Sequence, residues 1–240
     1  MSETQKAKEK KTKKSKQITV KANKKGRHIM KFMNFLRVIF IPFYYLVKPF
    51  RYYGNRKVND GACIYVLNHY TIFDVVYAVS TTWEGIHIIA KREVTDAPVL
   101  GALARGVKVI SANRDGNDVR ALLDAFKCLK NNEKIAIFPE GTRNKEGVDM
   151  LPFKHGASAM AIRSKTPIIP IVIYDKPRLF RCAHILIGEP VELTQYYDRK
   201  LTEEDFKQAD DYLRNLMLNM KAEHKAYLEN KKKKREASKN

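Results

Sequence analysis

From residue 60 onward, short apolar runs alternate with stretches of helical periodicity, and this alternation restricts the fold more than any other feature of the 240-residue chain. The runs are Cys63–Leu67, Ile86–Ala90, Val107–Ile110, Lys134–Phe138, Ile168–Tyr174 and Ile185–Ile187. Each is too short for a helix and rich in β-branched residues, so each reads as a buried strand. Between them, "DVRALLDAFKCLKN" sets Val119, Leu122, Leu123, Phe126 and Leu129 on one helical face, and Gly156 to Arg163 reads as a short helix. At "LTEEDF", Thr202 is positioned to cap a long helix whose stripe of Phe206, Ala209, Leu213, Leu216, Met217 and Met220 serves packing. Strands alternating with helices predict an α/β domain with a largely parallel central sheet flanked by helices. In that architecture the loops after the carboxyl ends of the strands carry the ligands.

The chain is long enough to bury a sizeable core, which excludes disorder throughout. Its formal net charge of +20 is concentrated at the two ends. Residues 1–31 carry twelve Lys or Arg against two Glu, and residues 221–240 carry eight against three. "KAKEKKTKKSKQ" and "NKKKKREASKN" have almost nothing apolar to bury, so both read as disordered, solvated tails and not as specific nucleic-acid binders.

Between the first tail and the domain lies "FMNFLRVIFIPFYYLV", residues 32–47. Its apolar part free of charged residues, Val38 to Val47, is about half of the ~20 residues of a spanning helix, and Pro42 sits inside it. With a long lysine-rich lead before it and no small-residue cleavage site after it, the segment does not read as a cleaved signal peptide. Flanking Lys31, Arg37, Lys48 and Arg51, with Tyr44, Tyr45, Tyr52 and Tyr53 near the polar boundary, favour an interfacial anchor over a buried core helix. Polybasic lysines beside such a segment add on the order of 1 kcal/mol each at an anionic leaflet. Cys63, Cys128 and Cys182 are odd in number and lie in no CxxC or His-Cys cluster, which predicts reduced thiols and no metal site.

Four loops could carry chemistry. In "NHYTIFD", His69 follows a buried strand, Thr71 can cap the next helix, and Asp74 falls in its first turn. Asp74 could orient the imidazole of His69 as a general base; a structural His bonded to a helix-capping acid is the other reading. In "IAIFPEGTRNKEG", a strand runs into a sharp loop. There Gly141 lets backbone approach a ligand, Thr142 can donate a hydrogen bond, and Arg143 can grip phosphate oxygens in bidentate fashion. Arg114 in "GVKVISANRDG" again stands just past a strand, and "TPIIPIVIY" is a strand start shaped by Pro167 and Pro170. The bland readings of these segments are surface turns and surface charges.

Taken in order, these segments resemble the four sequence blocks of the glycerolipid acyltransferases, the group that contains lysophosphatidate and glycerol-3-phosphate acyltransferases. "NHYTIFD" is similar to the block N-H-x-x-x-x-D, "GVKVISANR" to the block ending in Arg, "FPEGTRN" to F-P-E-G-T-R-S, and "TPIIPI" to V-P-I-V-P. "AKREVTDAPVLG", residues 90–101, resembles the segment between the first two. The likeness covers residues 60–190, with Asn144 standing where the family usually has Ser. Four blocks in order and spacing are far more specific than any one of them.

The resemblance implies an enzyme that transfers a fatty acyl group from a thioester to the sn-2 hydroxyl of 1-acyl-sn-glycerol 3-phosphate, giving phosphatidate. His69 would be the general base and Asp74 its orienting acid, while Arg114, Gly141, Thr142 and Arg143 would hold the acceptor phosphate in a loop organised by Glu140. No GxSxG elbow and no cysteine nucleophile motif is present, so a direct transfer without an acyl-enzyme is the simpler scheme. No cofactor or metal is expected; the donor is acyl-CoA or acyl-acyl carrier protein. The expected partners are membrane lipids and lysophosphatidate, with no specific nucleic acid, at the cytoplasmic face of the cell membrane in a peripheral or monotopic mode. On this reading the chain divides into a disordered basic tail (1–28), a membrane-associating helical segment (29–56), the acyltransferase domain (57–228) and a second disordered basic tail (229–240). Glycerol 3-phosphate or another lysophospholipid as acceptor, and a non-catalytic membrane or nucleic-acid binding protein, are the alternatives.

Overall fold

A computed structural model describes residues 34–35, 37–56, 61–82, 84–91, 109–112, 119–154 and 156–238. Strand β2 (Ile64–Leu67) is buried at every position, as is β6 (Ile168–Ile173). Strands without a polar face must be covered on both sides, and they occupy the middle of a sheet. With β1 (Phe50–Tyr53), β3 (Ile86–Lys91), β4 (Ile110–Ala112), β5 (Lys134–Ile137) and β7 (Ala183–Ile187) they form one seven-stranded sheet, ordered β1-β7-β6-β2-β5-β3-β4. All neighbouring strands are parallel except β6 and β7.

Two apolar layers sandwich the sheet, and alternate residues of each strand serve them. Ile64 and Val66 face one layer, with α3 (Val119–Lys130), α4 (Gly156–Ser164) and α5 (Glu203–Ala237). Tyr65 and Leu67 face the other, with α2 (Asp74–Thr81) and helical residues 37–47 (α1). Because β2 lies between β5 and β6, the loops leaving the carboxyl ends of these three parallel strands converge. That convergence creates the site.

The strands expected from sequence are present, with β4 running Ile110–Ala112 and residues 107–108 outside the described residues. The structure adds β1, which lies inside the segment 29–56 expected to be membrane-associating and helical. Its aromatic residues are drawn into the domain: the Tyr52 hydroxyl donates to the Tyr77 carbonyl at 2.6 Å, and Tyr53 OH lies 2.8 Å from His184 Nδ1. Arg37 and Tyr44, expected at a lipid boundary, are buried instead. The Arg37 guanidinium donates to the Glu84 carbonyl at 2.9 Å, and burial lowers its pKa. Tyr44 packs on Tyr77 and Phe73. Aromatic and cationic residues beside an apolar run look alike at a membrane boundary and at a domain boundary. The opposite face of α1, with Val38, Ile39, Phe43 and Leu46, is exposed. No helix among the described residues is long and apolar enough to cross a membrane.

Two further expectations are corrected. Helix α3 buries Ala121, Ala125 and Leu129 while Val119 and Leu123 face outward. Small residues at i, i+4 allow close approach of the helix to the sheet, which an apolar count overlooks. At the carboxyl end, α5 continues to Ala237, through most of the stretch 229–240 expected to be disordered. Lys, Arg, Glu and Ala are good helix formers, and extending an existing helix avoids the cost of nucleation even where nothing is buried. The basic tail 1–28 lies outside the described residues.

Helix α5 begins as expected, with a capping box. The Thr202 hydroxyl accepts the Asp205 amide at 3.2 Å and the Asp205 carboxylate accepts the Thr202 amide at 2.8 Å. These hydrogen bonds and Arg199 hold the Asp205 pKa below the ordinary carboxylate range. Thr202→Ala is expected to cost about 1 kcal/mol and to lower the thermal midpoint by about 2–4 °C. An unchanged midpoint in a thermal melt would show that the helix start is held by packing alone.

Candidate active site

His69 is two residues past the carboxyl end of β2, and Asp74 opens α2. The turn between them folds back so that His69 Nδ1 lies 3.0 Å from Asp74 Oδ2. Asp74 is wholly buried, and its carboxylate also accepts the amides of Tyr70 at 2.6 Å and Thr71 at 2.7 Å and the hydroxyl of Thr71 at 2.7 Å. Thr71 therefore does not cap the helix as its position suggests. It donates to Asp74, and the α2 N-cap, Phe73, has no side-chain bond. A carboxylate that holds this many donors cannot rotate, so it fixes the imidazole. Since a carboxylate only accepts, Nδ1 carries a hydrogen, and in the neutral ring the lone pair is then on Nε2. The His69 ring packs on Phe138, with centroids 4.3 Å apart, and its side chain remains 20% exposed.

Glu140 joins this turn to the loop after β5. Its Oε1 accepts the His69 amide at 2.6 Å and its Oε2 accepts the Leu151 amide at 2.9 Å. Burial pushes the Glu140 carboxyl upward, and the amides of Leu151 and His69 pull it back. The carbonyl of His69 in turn accepts the Asn144 amide at 2.7 Å. Both backbone groups of His69 are thus held by residues flanking Gly141, Thr142 and Arg143, which ties that loop to the His69 turn. Gly141 has φ +62 and donates its amide to the Phe138 carbonyl at 3.0 Å. That left-handed backbone is what favours glycine here; an added Cβ would meet only the outer atoms of the Lys154 side chain, which can move aside. Thr142 and Arg143 are exposed, and Lys154 adds a further exposed cation to the same loop. Arg114 and residues 92–101 of the "AKREVTDAPVLG" segment lie outside the described residues.

Three contributions were not apparent in the sequence. Asn68 is buried and bridges β2 to β6: its amide nitrogen donates to the Ile173 carbonyl at 2.9 Å and its oxygen accepts the Ile173 amide at 2.8 Å. Asn144 is buried, and its side chain donates to the Val148 carbonyl at 2.7 Å, closing the loop beneath Arg143. Helix α5, read as packing alone, clamps the loop that holds Glu140. Arg214 donates to the Met150 carbonyl at 2.7 Å and the Leu151 carbonyl at 3.2 Å, and Lys221 pairs with Asp149 at 2.7 Å. Asn68 could have been suspected from its place beside His69; nothing near Arg214 marks it.

Among the described residues, one group could hold a metal ion: His87, Cys128 and Glu133, with ligand atoms within 4.8 Å of one another. Cysteine spacing gives no sign of it, because the three residues come from β3, α3 and the turn after α3. His87 pairs in register with Ile135, and Ile135 with Ile64, so the group sits at the amino ends of the strands, opposite His69. His87 Nε2 and Glu133 Oε2 already meet at 3.0 Å.

A family model described as Acyltransferase matches residues 49–174, just over half of the chain. The chain is 36% identical over 124 residues to a 1-acyl-sn-glycerol-3-phosphate acyltransferase of Helicobacter pylori, covering 51% of this chain and 52% of that protein. It is 34% identical over 140 residues to the human 1-acyl-sn-glycerol-3-phosphate acyltransferase beta, covering 53% of this chain and 50% of that protein. It therefore spans about half the length of these curated relatives. Among solved structures it is similar to the 1-acyl-sn-glycerophosphate (LPA) acyltransferase PlsC from Thermotoga maritima, with a TM-score of 0.61 at 25% identity over 83% of this chain and 79% of that one.

Because both oxygens of Glu140 accept N–H groups, glutamine cannot replace it: one of the two amides would face an NH2 group. Glu140→Gln is expected to cost about 1–3 kcal/mol, read as a lower urea midpoint at unchanged slope. An unaltered midpoint would mean that the two amides find other partners.

Proposed function

The chain belongs to the acyltransferase family, and from that membership we propose that it transfers a fatty acyl group from a thioester to the sn-2 hydroxyl of 1-acyl-sn-glycerol 3-phosphate, yielding phosphatidate. The observation that carries this reading is the His69–Asp74 pair at 3.0 Å, with the backbone of His69 held between Glu140 and Asn144 at the edge of the Gly141–Arg143 loop. A general base and an exposed anion-binding loop, one residue apart in the hydrogen-bond network, suit an acceptor that carries a hydroxyl and a phosphate.

In this scheme the acceptor hydroxyl approaches Nε2 of His69. As its oxygen bonds to the thioester carbonyl carbon, its proton passes to Nε2, and Asp74 offsets the charge of the imidazolium. The tetrahedral intermediate then collapses with cleavage of the C–S bond. The proton returns from Nε2 to the departing sulfur, leaving an ester, a free thiol and an unchanged enzyme. A base of this kind contributes about 10²- to 10⁴-fold, and the thioester supplies the remaining activation. Arg143 and Thr142 bind the acceptor phosphate, Gly141 lets the backbone approach it, and Arg114 assists. Glu140 orders the loop without touching substrate. Acyl-CoA and acyl-acyl carrier protein both fit as donors.

A lysolipid acceptor and a long acyl chain reside in a bilayer, which gives the exposed apolar face of α1 its role. Val38, Ile39, Phe43 and Leu46 contact the acyl region of a membrane surface while Arg37 and Tyr44 keep the helix fastened to the domain. The protein then works as a peripheral or monotopic enzyme that need not extract its substrates into water.

The test is an assay of purified protein in mixed micelles with acyl-CoA and either lysophosphatidate or glycerol 3-phosphate, repeated with acyl-acyl carrier protein. Phosphatidate is expected from lysophosphatidate; transfer to neither acceptor from either donor overturns the proposal. His69→Ala should lower turnover by about 10²- to 10⁴-fold with an unchanged melting midpoint, and wild-type turnover in that variant would remove the base. Arg143→Ala should chiefly raise KM for the phosphorylated acceptor. A variant that loses stability with acceptor KM unchanged would show that Arg143 serves the loop and not the phosphate.

A further inference from the structure

The loop between β6 and β7 lies beyond the family-matched residues and carries the most exposed phenylalanine in the described chain. It reads Asp175-Lys176-Pro177-Arg178-Leu179-Phe180-Arg181-Cys182, with Leu179 59% and Phe180 75% exposed. Phe180 also has φ +57. Asn132, Lys165 and Asp198 also adopt the left-handed region, which Asn and Asp tolerate best, but for a bulky aromatic side chain it is an outlier. A strained backbone that holds a large apolar side chain in water is maintained by its surroundings. Here the Phe180 amide donates to the Val47 carbonyl at the end of α1 at 2.8 Å, and the Ala183 amide donates to the Pro49 carbonyl at 2.8 Å.

Those bonds join the tip to the same border as the outward face of α1, since Leu46 precedes Val47. Phe73, also exposed, lies beside Tyr44 of α1, with the Lys48 ammonium 4.8 Å from its ring centroid. All of these groups lie at one end of the sheet. The loop leaves the carboxyl end of β6, whose last residue, Ile173, is bonded through both backbone groups to Asn68, the neighbour of His69. β7 runs antiparallel to β6 and begins at that end, and Phe50 at the start of β1 pairs in register with Ala183.

Charge selects the occupant. Lys176, Arg178 and Arg181 are exposed and flank the apolar pair, and the neighbouring Arg51 is exposed as well. Two apolar side chains rimmed by cations match the layering of an anionic monolayer, with phosphates above acyl chains. We propose that Leu179 and Phe180 form a second membrane-insertion element. With α1 it sets the tilt of the domain, so that the His69 end of the sheet faces lipid containing anionic headgroups. The proposal rests on the reading that α1 meets a membrane, and its test separates the two.

The unmodified chain has a single tryptophan, Trp83, which serves as the background. Phe180→Trp and Phe43→Trp are prepared in the full chain and mixed with phosphatidylcholine/phosphatidylglycerol vesicles bearing brominated acyl chains. Both reporters are expected to blue-shift and to be quenched beyond the background. Quenching at 43 with none at 180 overturns the second insertion element and leaves the surface of α1 standing. Quenching at neither position overturns the membrane reading and this proposal together. The double variant Leu179→Ser/Phe180→Ser should lower vesicle partition on the order of tenfold while leaving turnover on detergent-dispersed substrate unchanged. Equal partition in variant and parent overturns the proposal. Equal insertion at 180 into pure phosphatidylcholine vesicles would overturn the role given to Lys176, Arg178 and Arg181.

Discussion

One buried carboxylate links the parts of the site that the chain supplies far apart in sequence. Glu140 holds the amide of His69 with one oxygen and the amide of Leu151 with the other. Burial opposes its ionisation, yet both oxygens face N–H donors, an arrangement that only an ionised carboxylate satisfies in full. The turn after β2, the loop after β5 and the segment leading to α4 are therefore referred to one group. The adjacency of β2 and β5 in the sheet makes this possible, and the mutual bonds of Asn68 and Ile173 extend it to β6.

Around that link the work is divided by chemistry. Asp74 collects two amides, a hydroxyl and the imidazole of His69, so the ring is oriented by a group that cannot turn. Gly141 and Asn144 shape the loop that presents Arg143, the former by its left-handed backbone and the latter by bonds to His69 and Val148. Support comes from outside the family-matched region as well. Arg214 and Lys221 of α5 grip residues 149–151 from below, so a helix whose apolar stripe serves the core also bears on the position of Glu140. The sheet then separates two environments. The carboxyl ends of the parallel strands carry the reactive pair and the exposed apolar border of α1, Phe73 and Phe180, while the amino ends carry the group of His87, Cys128 and Glu133.

The places where structure and sequence part share a physical origin. Arg37, Tyr44 and Tyr52 sit beside an apolar run and suit a lipid boundary by composition, but Arg37 and Tyr44 are buried in the domain and the Tyr52 hydroxyl is bonded to the Tyr77 carbonyl. Hydropathy reports that a segment avoids water and is silent on whether protein or lipid covers it. Helix α5 outran its expected end because helix propagation depends on propensity, whereas the expectation of disorder rested on the lack of anything to bury. Thr71 has the composition of a cap and the geometry of a donor to Asp74.

Local chemistry and periodicity were legible in the sequence alone: the α/β alternation, the strands that become β2, β5 and β6, the Thr202 cap, the pairing of His69 with Asp74 across five residues, and the Gly141–Arg143 loop. These depend on neighbours within one turn or one strand, where side-chain type and backbone preference decide the outcome. Only the tertiary structure decided that Glu140 bonds to the backbone of His69, that Asn68 bridges to Ile173, that Arg214 supports Leu151, and that Phe180 stands at the border of α1. Each of these joins residues brought together by strand order and helix packing, and contacts across that sequence distance leave no periodicity from which they could be read.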